Sequence, residues 1–384
     1  MKILLLCWRD TDHPQGGGSE RYLEHVAAYL ARRGHEVVFR TASYTDAPAR
    51  SFRDGVRFSR AGGKYTVYPR AWGAMLAGRM GLGPLRGVDV VVDTQNGIPF
   101  FARAVAGRPT VLLTHHCHRE QWPVAGPVIA RLGWWLESTV APRVYRGSRY
   151  VTVSHPSREE LVGLGVDAGS IHLIRNGIDP LPERLPRLDD DARVHLVTLS
   201  RLVPHKQIEH AMDVAAALHR SHGVVLDVLG SGWWNERLRE YARERHLGEA
   251  VVFHGQVSED YKHAQLARAA LHLMPSRKEG WGLAVMEAAQ HGVPTVGYRG
   301  AGGLNDSIDH GSTGILVDTR EQLIGAVRGL LDDPAERRRL GAAARDKATA
   351  FSWDEAGARF EALLREVSGA YAPTGSPRPR RRAR

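Results

Sequence analysis

The chain has 384 residues, 43% of them hydrophobic, and a formal net charge of +10 at pH 7. That length accommodates two domains with sizeable cores, and no run of about 20 apolar residues offers a membrane span. The body carries no zinc-finger, helix-turn-helix or aromatic RNA-binding pattern, so a nucleic-acid partner is not expected. Five arginines and no acid fall in the last thirteen residues, from Ala372, so five of the ten excess charges sit in a Pro-rich tail expected to be disordered.

The opening Met-Lys-Ile-Leu-Leu-Leu-Cys-Trp is too short for a signal peptide and reads as a buried strand over 3–8. Gln15-Gly16-Gly17-Gly18-Ser19-Glu20 then leads into an amphipathic helix predicted from about Ser19 to Arg33, with Tyr22, Leu23, Val26, Ala27 and Leu30 on its apolar face. Gly34 stops it, and His35–Phe39 is the next strand. Strand, glycine loop, helix and strand open a nucleotide-binding fold. The dinucleotide pattern G-x-G-x-x-G fails, however, at Arg21, and again after Gly230-Ser231-Gly232, where Asn235 stands; a nicotinamide dehydrogenase is disfavoured. Asp10-Thr11-Asp12 is a literal D-x-D, a pattern that can hold a divalent metal. Directly after the first strand it reads as a solvated turn, as does Asp189-Asp190-Asp191 in an evident linker. Cys7 and Cys117 fall at strand ends and read as small core residues rather than a disulfide.

Val88–Asp93 and Pro109–Thr114 read as parallel strands, the second running into His115-His116-Cys117-His118. Adjacent strand residues point to opposite faces, which makes this a poor metal cluster. A histidine here is suited to contact with a reacting hydroxyl. From Val128 a helix is predicted with Ile129, Leu132, Trp135 and Leu136 on one face and Arg131 and Glu137 elsewhere. That face is expected to pack on the sheet; the alternative is an acceptor or membrane-interface surface, given Trp122, Trp134 and Trp135. Tyr150–Ser154 is a strand, Pro156 begins a helix, and Ile171–Ile174 runs into Asn176-Gly177-Ile178-Asp179. The aperiodic Pro180–Asp191 reads as a hinge linker.

His195–Leu199 restarts the α/β rhythm and is followed by Ser200-Arg201-Leu202-Val203-Pro204-His205-Lys206. A guanidinium forks onto phosphate oxygens and a lysine adds a point charge, while paired cations at a helix start run against the helix dipole and need a reason. Val224–Leu229, Val251–Val257 and Leu271–Ser276 read as further strands. The chain then reaches Glu279-Gly280-Trp281-Gly282-Leu283-Ala284-Val285-Met286-Glu287, where a helix is predicted from Gly282 or Leu283 to Gly292, with Pro294 beyond. Free N–H groups and the dipole at its start favour an anion, and glycines let the backbone approach closely. Glu279 in the loop and Glu287 one turn into the helix would flank a phosphate-sized site. Carboxylates repel phosphate and accept hydrogen bonds from hydroxyls, so the ligand implied is a sugar nucleotide. Pro294–Gly297, the loops Gly300–Gly303 and Gly311–Gly314, and an amphipathic helix from about Trp353 to Val367 complete the pattern.

Two glutamates separated by seven residues around Gly-Trp-Gly-Leu resemble the signature of the retaining glycosyltransferases of family 4, and the loops over 195–318 match that family in order. The resemblance implies an α/β architecture of the GT-B type, two Rossmann-like domains whose parallel sheets face a cleft. It implies an acceptor-side domain over 1–178, a linker over 179–192, a nucleotide-sugar domain over 193–352, a helix over 353–371 crossing back, and the basic tail over 372–384. In such an enzyme Gly17 and Gly18 close over the donor diphosphate, which Arg201, Lys206 and the segment Gly280, Trp281, Gly282 and Leu283 bind. Glu287 holds the ribose, Glu279 contacts the donor sugar, the backbone at Val257 meets the base, and His115, His116 or His118 lies beside the sugar or acceptor. Gln207 stands where the family usually has glycine. The reaction implied is metal-independent, retaining transfer from a UDP- or GDP-sugar, with no cofactor, to a hydroxyl on a lipid, glycan or small molecule. An inverting enzyme with a histidine base and a non-catalytic sugar-nucleotide-binding protein are the alternatives. The expected setting is cytoplasmic, with room for peripheral contact at the inner face of a membrane.

Overall fold

The computed structural model describes residues 1–13, 16–189 and 191–369. Gln15, Asp190 and the predicted basic tail lie outside the described residues. Strands β1 (Lys2–Leu6), β2 (Glu36–Thr41), β3 (Arg50–Arg53), β4 (Val56–Arg60), β5 (Val90–Thr94), β6 (Thr110–Leu113), β7 (Arg149–Thr152) and β8 (Ile171–Leu173) form one sheet in the order β3-β4-β2-β1-β5-β6-β7-β8. Strands β9 (Val194–Leu199), β10 (Val224–Leu229), β11 (Val251–Gly255), β12 (Leu271–Met274), β13 (Thr295–Tyr298) and β14 (Gly314–Val317) form a second, in the order β11-β10-β9-β12-β13-β14. The central strands are continuous apolar runs, Ile3–Leu6 and Val90–Val92 among them, buried on both faces as helix-covered parallel strands must be.

All pairings are parallel, as expected, except that of β3 with β4 at the edge of the first sheet. These two strands form a hairpin around Asp54-Gly55, both in the left-handed region (φ 50° and 78°), as a tight two-residue turn requires. The helix Val67–Arg79 was also not predicted; Pro69 and Gly73 interrupt its pattern, and it buries only Val67, Ala71, Met75 and Gly78.

Each sheet reverses its winding once, between β1 and β5 and between β9 and β12. Ligands of such sheets bind outside the carboxyl ends of the strands at this reversal. The loops that leave there are the glycine loop after β1, Ser200–Lys206 after β9 and the loop to Gly282 after β12. The helix Gly18–Arg32 buries Tyr22, Leu23, Val26, Ala27 and Leu30 against the first sheet, as predicted. Against it lies the last helix, Trp353–Val367, which is reached from the second sheet. Arg32 pairs with Asp354 at 2.7 Å and His35 meets Glu361 at 3.0 Å across this contact. A Cβ on Gly177 would lie 2.2 Å from the backbone nitrogen of Trp353, so only glycine admits so close an approach.

The helix Pro127–Trp135 turns Trp134 onto the cluster of Leu112, Cys117 and Tyr145, not the predicted apolar face. Val128, Ile129, Leu132 and Trp135 are 77, 51, 54 and 52% exposed. Gly133 also faces inward; a Cβ there would meet the Trp122 ring at 2.4 Å, which helps to fix the rotation of the helix. A π-helical turn over Leu136–Val140 then swings Glu137 fully inside. Among the described residues no helix is long and apolar enough to cross a membrane.

Candidate functional site

The switch-point loops of both sheets enclose a cleft of about 400 Å³. Its second-sheet wall is built on Gly282, whose φ of +89° turns the chain from the loop into the helix Leu283–Gln290. The loop before it is held by close backbone packing. A Cβ on Gly303 would lie 2.3 Å from the Gly280 carbonyl oxygen, and one on Gly280 would lie 3.2 Å from both the His115 carbonyl oxygen and His116 Nδ1. Glu279 is 8% exposed and its carboxylate accepts from Lys206 Nζ at 2.5 Å. Burial pushes the Glu279 carboxyl up, but Lys206, with Ser276 and His205, outweighs it and holds the group below the usual carboxylate range. Glu279 and Lys206 thus present a charge-balanced pair to the cleft.

Facing them, the glycine loop is ordered by Glu20, a fully buried carboxylate that accepts from Gly17 N at 2.8 Å, Ser19 Oγ at 2.9 Å and Arg9 Nε at 3.2 Å. A Cβ on Gly17 would sit 3.4 Å from Arg201 Nε, and one on Gly18 would sit 3.1 Å from Leu283 Cδ1. Gly17, Gly18, Arg201 and the start of the helix therefore converge from the two sheets. Arg201 lines the cleft, and its guanidinium makes no hydrogen bond or ion pair with the described residues, so its fork of donors is available to a ligand.

Glu287 also lines the cleft, with Lys262 Nζ at 2.7 Å and an Arg21 nitrogen at 3.6 Å. Arg21 in turn pairs with Asp179 of the Asn-Gly-Ile-Asp turn. Across the other side Lys278 pairs with Glu160. None of Arg21, Lys262 and Lys278 was singled out as a site residue; Arg21 served only to exclude a dinucleotide motif. Arg21 reaches Glu259, 238 residues away, and Lys278 reaches Glu160, 118 residues away, so no local pattern announces these pairs.

His115 and His116 both line the cleft. His115 is 7% exposed, neither ring nitrogen has a hydrogen-bond partner among the described residues, and the Tyr22 ring stands edge-on at 5.2 Å. Burial pulls its pKa down to about 4, so it is neutral at physiological pH. His116 meets Gln121 at 2.9 Å and stacks on His118 at 4.6 Å. His118 lies behind it, held by Glu137 through its backbone N–H at 2.9 Å and its ring at 3.1 Å. Glu137 also accepts from Trp122 Nε1 at 2.7 Å, an arrangement not foreseen while Glu137 was placed off the packing face. Cys7 and Cys117 are free and buried, each thiol pushed up to about 12 by burial.

The Trp281 side chain is 3% exposed and packs on Phe351 with ring centroids 4.9 Å apart, which leaves its backbone for the role expected of it. The Val257 side chain packs with the buried cluster of Val197, Leu229 and Ala288, and the residue does not line the cleft. One expectation changes: Asp10 is no solvated turn, being fully buried and accepting from Arg60 Nε at 2.6 Å. Among the described residues no group of three or more His, Cys, Asp or Glu could hold a metal ion.

Residues 16–180 match the family described as Glycosyltransferase Family 4, and residues 186–347 match Glycosyl transferases group 1. The chain is similar to the glycogen synthase of Mycobacterium tuberculosis, at 29% identity across 92% of each chain. It is 30% identical to a GDP-mannose-dependent α-(1-6)-phosphatidylinositol monomannoside mannosyltransferase of Mycolicibacterium smegmatis, over 67% of this chain and 71% of that protein. Its fold resembles that of an Anabaena protein solved with UDP-glucose, with a TM-score of 0.71 at 18% identity over 95% of this chain and 100% of that one.

Proposed function

The chain belongs to glycosyltransferase family 4, with the GT-B fold, and on that premise we propose that it moves a sugar from a UDP- or GDP-sugar to an acceptor hydroxyl, with retention and without a metal. The observation that carries this reading is the convergence of Arg201, Lys206 and the start of the helix Leu283–Gln290 on one cleft. Fixed cations and free N–H groups aimed at a leaving diphosphate stabilise the charge that develops there, which is the task a metal performs elsewhere. Glu287 would accept from the ribose hydroxyls and Glu279 from those of the donor sugar. The bond from the sugar to the diphosphate oxygen breaks as the acceptor oxygen bonds the same carbon on the same face, and the acceptor proton passes to the departing diphosphate.

His115 supports retention over the inverting alternative. A group with a pKa of about 4 is a weak base at neutral pH. It is suited to orient a hydroxyl rather than to deprotonate it. The Mycolicibacterium relative depends on GDP-mannose, and the Anabaena protein of similar fold binds UDP-glucose, one member of each class proposed here. The acceptor is a lipid, glycan or small molecule, and the proposed setting is cytoplasmic with peripheral membrane contact. The test is calorimetric titration with UDP, GDP and ADP, with and without EDTA, on the wild type and Arg201→Ala. Binding of UDP or GDP that ignores EDTA and weakens about tenfold or more in the variant is the expected result. Binding of none, or binding that requires a divalent metal, would overturn the assignment. Binding with neither transfer nor donor hydrolysis would favour the non-catalytic alternative.

A further inference from the structure

The helix His155–Gly163 follows β7 in the first sheet, yet it touches both walls of the cleft. On its inner side Ser157 Oγ donates to the His115 carbonyl oxygen at 2.7 Å, and Glu160 accepts from Cys117 N at 3.3 Å. Two side chains one turn apart thus hold the backbone of the segment that presents His115 and His116. The start of the helix is met by a group from the second sheet. Asp306, on the short helix Leu304–Ser307, accepts from His155 N at 3.0 Å. Its carboxylate also meets His155 Nδ1 at 3.1 Å and Arg175 at 3.2 Å, and its side chain is 10% exposed. A carboxylate at a helix start complements the dipole and satisfies a donor that has no partner within the helix. Lys278 makes a second crossing, to Glu160.

On the opposite wall Asp306 stands close behind Glu279. Glu279 N donates to the Ala301 carbonyl oxygen at 2.8 Å, Gly303 N to the Glu279 carbonyl oxygen at 3.1 Å, and Asp306 N to the Gly303 carbonyl oxygen at 3.2 Å. A Cβ on Gly302 would lie 3.7 Å from both Lys278 Nζ and Pro156 Cβ, so the two walls come within van der Waals reach there. Asp306 itself does not line the cleft. Its carboxylate is directed at the first sheet's helix, while its backbone belongs to the loop that holds Glu279.

We propose that Asp306 is a positioning residue: through the helix His155–Gly163 it fixes His115 and His116 relative to Glu279, and so sets the gap in which an acceptor meets the donor sugar. The proposal rests on the glycosyltransferase reading above for what fills that gap, and on the hydrogen-bond chain for the positioning itself. The proposed diphosphate contacts, Arg201 and Lys206, lie on another loop of the second sheet, so nucleotide affinity should not depend on Asp306. Asp306→Ala and Asp306→Asn are compared with wild type in three measurements. These are hydrogen exchange with and without UDP or GDP, calorimetric titration with the same nucleotides, and turnover of UDP-glucose and GDP-mannose with octyl β-glucoside, octyl α-mannoside or water as the acceptor. In Asp306→Ala, exchange at Cys117 should be about tenfold or more faster, with exchange in Leu283–Gln290 and nucleotide affinity within about threefold of wild type. The kcat of turnover should fall about tenfold or more with the donor KM within about threefold, since misplacing a group beside the reacting centre acts on the transition state. Asp306→Asn keeps an oxygen for the His155 N–H and should recover much of both effects. Unchanged exchange at Cys117, nucleotide affinity lost in step with turnover, or exchange accelerated throughout both sheets in both variants would overturn the proposal. The exchange comparison needs neither acceptor nor nucleotide, so it judges Asp306 even where the titration sinks the donor reading.

Discussion

Replacing Lys206 by methionine keeps most of the side-chain volume and removes the cation 2.5 Å from Glu279. The two side chains are 13% and 9% exposed. At that separation and an effective dielectric of about 20 the Coulomb attraction is about 7 kcal/mol. Desolvation offsets much of it, and removing one partner of so buried a pair costs roughly 3–5 kcal/mol, because the other charge is stranded. The sign with pH follows from Glu279. In the wild type its pKa is depressed below 4.5, so its contribution is present above 4.5 and lost as the pH falls through the depressed value. In Lys206→Met the burial that pushes this carboxyl up acts without its main counterweight, so the folded state is penalised at neutral pH and relieved as the group takes a proton. Urea unfolding followed by tryptophan emission, with Trp281 two residues from the pair, should show a deficit of about 3–5 kcal/mol at pH 7.5 that shrinks towards pH 5. Adding Glu279→Gln should recover much of the loss. A deficit that stays constant between about pH 7.5 and 5, or one below about 1 kcal/mol throughout, would refute the argument that Glu279 is a buried charge held by Lys206.

His115 has its pKa lowered from 6.5 to about 4, so the unfolded chain takes up a proton in that window before the folded one does. Stability is therefore lost as the pH falls from 6.5 towards 4, and His115→Gln should abolish a share of order 3 kcal/mol of this acid sensitivity in pH-dependent urea titrations. The same value predicts no limb from His115 between about pH 5 and 7 in the profile of kcat/KM. Glu137→Ala strands buried donors on His118 and Trp122 and should cost roughly 3 kcal/mol in unfolding. It should raise the acceptor KM more than it weakens UDP or GDP binding, because it loosens only the histidine side of the cleft. Gly303→Ala places a Cβ 2.3 Å from the Gly280 carbonyl oxygen. The donor loop must shift, and calorimetry should show nucleotide affinity lowered about tenfold or more in a chain that stays folded.

What a single segment determines was legible. The helix start at Gly282 and its stop before Pro294 followed from glycine, composition and proline, and the apolar face of Gly18–Arg32 followed from its spacing. The β3–β4 hairpin was missed although Asp54-Gly55 is a local turn signal, because Arg53 and Arg60 share the inner face with Val56 and Phe58 while Phe52 lies on the exposed one, which blurs the alternation. The orientation of Pro127–Trp135 was not legible, since the spacing of Ile129, Leu132 and Trp135 suggests one inward face while Gly133 and Trp134 supply the real one. Nor could a pattern of spacing predict that a π-helical turn would rotate Glu137 inward.

The cross-cleft charges escaped for a different reason, and they change how Glu287 is to be understood. A carboxylate beside a diphosphate is repulsive unless it is neutralised, and from sequence alone that conflict was resolved only by assigning it to hydroxyls. The fold brings Lys262 from a neighbouring helix and Arg21 from the opposite sheet's first helix to its two sides. With both cations in place Glu287 is free to play the ribose role proposed for it without its charge repelling the proposed diphosphate. Because Arg21 also holds Asp179 in the turn leaving the first sheet, the same guanidinium joins the proposed ribose end of the site to the segment between the two sheets. A residue first noted for spoiling a glycine motif therefore stands where donor contact and cleft geometry meet.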